Sequence, residues 1–198
     1  DMAAKRLQEE LKAFLGLTFP TLPSRELTMY DTAVVSRGWE QKRLRQLYDL
    51  AIGKTSLQIM SWEAMSQRTI PKDTLMDAAF SLEVGVEYEI NRLIAQLTGS
   101  GYSRCGMVEG PGQFAVRGGI LDVYSPAADL PIRAEFFGDE LDTMGYFDPT
   151  TQRRTENVDK VVILPVGETQ PRLHREGLEG LCNDLRHLLT RQKRRKNL

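Results

Sequence analysis

Cysteine and histidine are scarce in this 198-residue chain, which holds two of each. Cys105 and Cys182 stand far apart, which excludes a disulfide framework and points to a reducing compartment. With so few ligands, a zinc site finds no support. His174 and His187 have no Cys, Asp or Ser at catalytic spacing, so both read as solvated surface residues. Long apolar runs are missing too. None approaches the ~18–20 residues that cross a bilayer, and no signal-peptide pattern opens the chain. Charge of one sign is not in excess: 26 Lys and Arg stand against 27 Asp and Glu, a net of -1, which excludes a polycation. What is present is 41% hydrophobic and 27% charged, a composition that supports a sizeable core. The expectation is a cytoplasmic protein with no membrane partner.

Near-neutrality hides a segregation. Residues 1–73 carry eleven basic and nine acidic residues, 74–165 carry seven and fourteen, and 166–198 carry eight and four. An acidic middle between basic flanks predicts separate modules.

Along the chain, 1–15 places Met2, Leu7, Leu11, Phe14 and Leu15 on one helical face, with Gly16 as a stop. LTFPTLPSRELTMYD reads as a strand and loop, 37–52 as a helix ended by Gly53, LQIMSW as a strand and WEAMSQRT as a short helix. This alternation suggests part of an α/β layer. Near residue 80 the texture changes. FSLEVGVE is a strand and EYEINRLIAQLTGSGY a helix of about three and a half turns. From Ser103 to Pro165, CGMVEG, GQFAVRG, ILDVYSP, PIRAEFFG, DELDTMGYFDP and DKVVILP alternate with period two between Gly, Pro and Asp punctuation. That predicts an antiparallel sheet with one packed helix, an α+β module. A loop and a helix from about Arg175 follow. That helix shows no cap before Leu198, and the opening α/β portion is too short to close a sheet. Both features predict a piece of a longer protein.

Three tempting motifs have plainer readings. Gly53-Lys54-Thr55 resembles the end of a phosphate-binding loop. Position 48 is Tyr, however, a helix precedes and a strand follows, so the required order is inverted. A glycine helix stop with a solvated lysine explains it. The tail RQKRRK could neutralise nucleic-acid phosphates, or complement the negative end of a helix dipole. Asp139, Glu140 and Asp142 flank a Gly138-Asp139 turn, and a charged hairpin tip explains them better than a metal.

PIRAEFF (131–137) is the informative stretch. Alternation puts Ile132, Ala134 and Phe136 on one sheet face and Arg133, Glu135 and Phe137 on the other. In GQFAVRGG it buries Phe114 and Val116 and turns Arg117 outward. In ILDVY it buries Leu121 and Val123 and leaves Ile120, Asp122 and Tyr124 outside. The outer face then holds Arg117, Tyr124, Arg133, Glu135 and Phe137, a composition suited to protein binding. The competing reading is an exposed Arg-Glu pair worth roughly 0–1 kcal/mol, with Phe137 covered by the helix 88–97.

The run GPGQFAVRGGILDVYSPAADLPIRAEFFGDELDTMGYFDPTTQRR resembles the UvrB-homology region of the bacterial transcription-repair coupling factors. Its hallmarks are FAVRGGILD, EFFGDE and FDPTTQR. UvrB shares the outline, but the GGILD and DPTTQR wording is closer to the coupling factors. PSRELTMYDTAVVSRGWEQKRL looks like their first-domain motif, and there is no room for UvrB's long DNA-clamping hairpin. The resemblance covers about residues 3–185. It implies an α/β remnant of a helicase-like P-loop domain, part of domain 1a, over 1–78. Into it an α+β domain 2 is inserted over 79–165, with an antiparallel sheet and one packed helix, and 166–198 leads into domain 1b. The resemblance further implies that domain 2 binds UvrA through Arg117, Arg133, Glu135 and Phe137, with Arg104 and Tyr124 as candidates for further contacts. UvrB has a second contact arginine two residues before the turn, where this chain has Ala115.

The expected function is therefore a non-catalytic adaptor that recruits UvrA to stalled transcription complexes for nucleotide excision repair. The alternative is a UvrB-like DNA-binding module acting through the tail and the 1a part. No cofactor or catalytic residue is expected in this piece. By the same resemblance, the full-length parent would be a bacterial ATP- and Mg-dependent DNA translocase. Its partners would be RNA polymerase and double-stranded DNA, and a C-terminal domain would mask the UvrA-binding face.

Overall fold

The computed structural model describes residues 2–25, 38–55, 57–169 and 176–196, with side chains up to 192. Most of PSRELTMYDTAVVSRG and His174 lie outside them. Two compact units are distinguished, 1–168 and 169–198.

The first unit opens with α1 (Met2–Leu15), β1 (Thr21–Leu22), α2 (Gly38–Ala51), β2 (Ile59–Met60), α3 (Trp62–Ser66) and α4 (Lys72–Ala78). β1 and β2 pair in parallel, as strand-helix alternation requires. α2 buries Leu44 against Ile70 and Leu75, and this accounts for α4, a helix whose few apolar positions were too short to show a period. Gly53 ends α2 at a φ of 73°, a left-handed geometry glycine adopts freely. Lys54 pairs with Asp49 at 3.3 Å and a strand follows, so Gly53-Lys54-Thr55 is a helix terminus.

Next come β3 (Phe80–Glu83), α5 (Ile90–Gly99), β4 (Ser103–Arg104), β5 (Gln113–Arg117), β6 (Ile120–Val123), β7 (Ile132–Phe137), β8 (Glu140–Phe147), β9 (Arg154–Asn157) and β10 (Lys160–Ile163). β4 to β9 form one six-stranded sheet in sequence order, antiparallel except for the parallel β4–β5 pair. Three expectations change. CGMVEG is not a strand but part of the loop between β4 and β5; TQRRTENV supplies β9; and DKVVILP pairs with β3 outside the main sheet. CGMVEG carries two glycines that alternation alone does not weigh. α5 is also shorter than expected, because Glu89 is its extended N-cap.

Alternation gives the sheet its core. Phe114, Val123 and Ile132 share one row and Leu121, Ala134 and Met144 the next. All are buried, with Leu93 and Leu97 of α5 packed onto them. Each such Leu contributes about 1.5–3 kcal/mol of burial. Tyr102 closes this core by donating its hydroxyl to Leu164 O at 2.6 Å, and burial pushes its phenol well above the ordinary range. A phenol raised in the folded state contributes stability that is complete below about pH 10 and is lost as pH climbs toward the raised value. Urea unfolding across pH 8–11 should show this decline. Tyr102→Phe should flatten it, at a cost of about 1–3 kcal/mol at neutral pH.

The end of this unit is tied to its beginning by Glu168, which no motif had marked. Its buried carboxylate accepts from Arg43 Nε at 2.6 Å, Arg25 Nη2 at 2.8 Å and Ile70 N at 3.4 Å. Glu168 N in turn donates to Glu40 Oε1 at 3.0 Å. The second unit holds α6 (Gly177–Lys196), on which His187 is exposed. No helix among the described residues is long and apolar enough to cross a membrane.

Candidate functional site

The second face of the sheet is not open. The loop between β4 and β5 and the turn after β8 fold over it, so that Val108, Ala115 and Phe147 make a small buried cluster flanked by Cys105 and Tyr124. Burial pushes the Tyr124 phenol up, and its hydroxyl donates to Asp129 O at 2.6 Å. Ala115 therefore stands where a larger side chain would have to displace Val108 or Phe147. Arg104 on β4 is exposed.

This cover corrects the placement of Asp122, which alternation left outside. Its side chain is 1% exposed. Ala115, Asp122, Arg133 and Gly145 form one row across β5 to β8. Arg133 Nε donates to Asp122 Oδ1 at 2.7 Å and Nη2 to Oδ2 at 2.9 Å, and Arg117 Nη2 donates to the same Oδ2. One carboxylate on the middle strand thus joins two arginines from the flanking strands. Bidentate pairs of this kind fix direction as well as charge.

The two arginines are held differently. Arg133 also donates to Gln152 O at 3.3 Å and Gln152 Oε1 at 3.2 Å, and its guanidinium lies 4.5 Å from the Phe147 ring centre. It is 18% exposed, and the Asp122 hydrogen bond raises its pKa further. Arg117 is 44% exposed at the end of β5, which leaves it room to meet a partner. The FDPTTQR turn is the bracket for Arg133. Asp148 Oδ1 accepts from the Thr150 and Thr151 amides at 2.8 Å each, and those bonds hold its carboxyl below the usual range. Gln152 adopts a φ of 60°, a conformation costly for a side chain other than glycine. Its donations to Pro149 O at 2.7 Å and Val108 O at 3.4 Å keep it there.

Beyond Arg133 the face runs to the β7–β8 hairpin. Arg154 of β9 reaches Thr143 Oγ1 at 3.3 Å and Glu135 at 3.8 Å. The ladder shifts between Glu135 and Phe136, with Asp142 as the extra residue of β8. The hairpin closes through Gly138 at a φ of 65° and Asp139. Its tip is braced from the side, since Tyr88 N donates to Asp139 O at 2.7 Å and Leu141 N to Val86 O at 3.0 Å. Phe136 packs edge-on to Tyr88, with ring centres 6.5 Å apart. Phe137, which the competing reading placed under the helix, is 84% exposed. The neighbouring phenylalanine took the cover.

Arg117, Asp122, Arg133 and Glu135 are thus brought together, with Phe137 at the adjoining tip. Asp122 and Gln152 are members that the sequence reading did not select. A buried acid opposite an arginine on a neighbouring strand is a signal that only strand register reveals. A separate cleft of 190 Å³ beside α2 is lined by Arg45, Lys54, Ile132 and Tyr146. Its cations are taken by Asp129 and Asp49.

Residues 80–168, which contain this whole arrangement, match the family model described as the UvrB interaction domain. The chain is 33% identical to the transcription-repair-coupling factor of Myxococcus xanthus over 184 residues, covering 86% of this chain and 15% of that protein. It is 30% identical to the Escherichia coli transcription-repair-coupling factor over 165 residues, 83% of this chain and 14% of that one. UvrABC system protein B of Thermosipho africanus matches at 32% over 147 residues, 74% of this chain and 22% of that protein. The chain therefore spans less than a quarter of the length of each of these relatives. The FAVRGGILD strands, the EFFGDE hairpin and these matches lead to one assignment: the chain belongs to the transcription-repair coupling factor family, and its residues 80–168 are a UvrB interaction domain.

Proposed function

We propose that this chain is the adaptor part of a coupling factor that binds UvrA through the accessible, arginine-bearing end of the second face of its sheet and the β7–β8 tip. In this reading residues 1–78 are the later part of domain 1a, a degenerate helicase-like layer, 79–165 are domain 2, and 166–198 lead into domain 1b. The parent is a bacterial cytoplasmic, ATP- and Mg-dependent translocase on double-stranded DNA that engages RNA polymerase, and a C-terminal domain masks the same face. This piece performs no catalysis and recruits UvrA for nucleotide excision repair.

The observation that carries the reading is Phe137, a large apolar ring in water on a braced hairpin, beside the half-exposed Arg117 and Glu135. An apolar anchor on a braced backbone next to charged side chains is the arrangement that interface hot spots use, because less backbone entropy is lost on docking. Arg117 offers a charge-assisted donor to a carboxylate or carbonyl of UvrA. Purified UvrA should be retained by the immobilised chain. No retention would overturn the assignment. Submicromolar DNA binding with a steep salt dependence would favour the DNA-binding alternative instead.

A further inference from the structure

We propose that Asp122 is a positioning residue for this surface, aiming Arg117 at the partner without touching the partner itself. The proposal rests on the UvrA-binding reading for its functional consequence, and on geometry alone for its mechanism. Asp122 is buried on β6, between the two strands that carry the arginines. Arg117 lies two positions beyond Ala115, the cross-strand neighbour of Asp122, so it is a diagonal neighbour within reach of a long side chain. Both arginines place an Nη2 on the single atom Oδ2. Two guanidinium groups brought this close repel each other unless a carboxylate lies between them.

The consequences of losing that carboxylate are unequal. Arg133 keeps Gln152 O, Gln152 Oε1 and the Phe147 face. Arg117 loses the ion pair that holds it and faces an unneutralised Arg133, so it swings into solvent. Stability alone is a weak account of a buried carboxylate here, since apolar replacements of buried ion pairs are often as stable. Holding an exposed arginine in one direction is a task that an apolar residue could not perform.

The test is a double-mutant cycle on UvrA binding, combined with NMR of the arginine side chains in the 198-residue chain. Asp122→Asn keeps the shape, but turns one acceptor into an amide donor that opposes an arginine. It should weaken UvrA binding about tenfold, and Arg117→Ala added to it should weaken binding by less than about twofold more. In the spectrum, the Arg117 Nε–H resonance should be ordered in the natural chain and averaged in Asp122→Asn. Unchanged affinity, or effects of the two changes that multiply, would overturn the proposal. If the natural chain binds no UvrA, the partner reading fails separately, and the NMR measurement decides this proposal. An Arg117 resonance equally ordered in Asp122→Asn sinks it. If Asp122→Asn does not fold, the pair Asp122→Asn/Arg133→Gln removes both buried charges together, and the same Arg117 measurement is made on that variant.

Discussion

Reversing the charge at Arg133 should unfold the sheet domain more readily by about 3–5 kcal/mol, the cost of stranding a buried charge. In Arg133→Glu, a second carboxylate would face Asp122, which is 1% exposed, with Arg117 as the remaining partner. It would also meet Gln152 O and Oε1, acceptors that Arg133 now satisfies. Three interactions turn repulsive at one substitution. For a chain of this size the melting temperature should fall by roughly 10 °C or more. Arg117→Glu, at a half-exposed end of β5, should melt within about 2 °C of the natural chain. Calorimetry on the two variants separates the roles, and equal melting temperatures would contradict them. The same contrast matters for any binding assay. Loss of UvrA retention in Arg133→Glu says nothing about contact, whereas loss in Arg117→Glu does.

Phe137→Ala should weaken UvrA binding by at least about 2 kcal/mol, close to thirtyfold, with no loss of stability. The ring is 84% exposed, so its truncation opens no cavity and removes no core contact. The backbone bonds that brace the tip, from Tyr88 N to Asp139 O and from Leu141 N to Val86 O, do not involve its side chain. Phe136→Ala is the control. That ring packs against Tyr88 and the core, and its loss should cost about 3 kcal/mol of folding free energy. Isothermal titration with UvrA, paired with chemical denaturation, reads both quantities. A Phe137→Ala chain that binds UvrA at full strength would remove the tip from the interface.

Much of this arrangement was legible in residue order. Period-two alternation placed Phe114, Leu121, Val123, Ile132 and Ala134 in the core, because successive strand side chains point to opposite faces. It also separated Phe136 from Phe137, and the Gly138-Asp139 pair marked the hairpin tip. The motif wording identified the family. Less legible were α4, β9 and the strand that CGMVEG did not become. These are short segments whose state is decided by what they pack against rather than by their own periodicity.

What the sequence determined by itself is which side chains share a face, since that follows from local backbone geometry. What only the tertiary structure decided is how each face is covered. Alternation has no means of knowing that the loop from Cys105 to Gly112 and the FDPTTQR turn would close over the second face, because those contacts join residues distant in the chain. That closure moved Asp122 from solvent into the interior, made Arg133 an internal strut held by Gln152, and left Arg117 with Phe137 at the accessible end. Separately, tertiary packing brings Glu168 onto Arg25 and Arg43, more than a hundred residues away. A carboxylate's environment depends on which distant segments exclude water from it, and that is a property of the folded molecule.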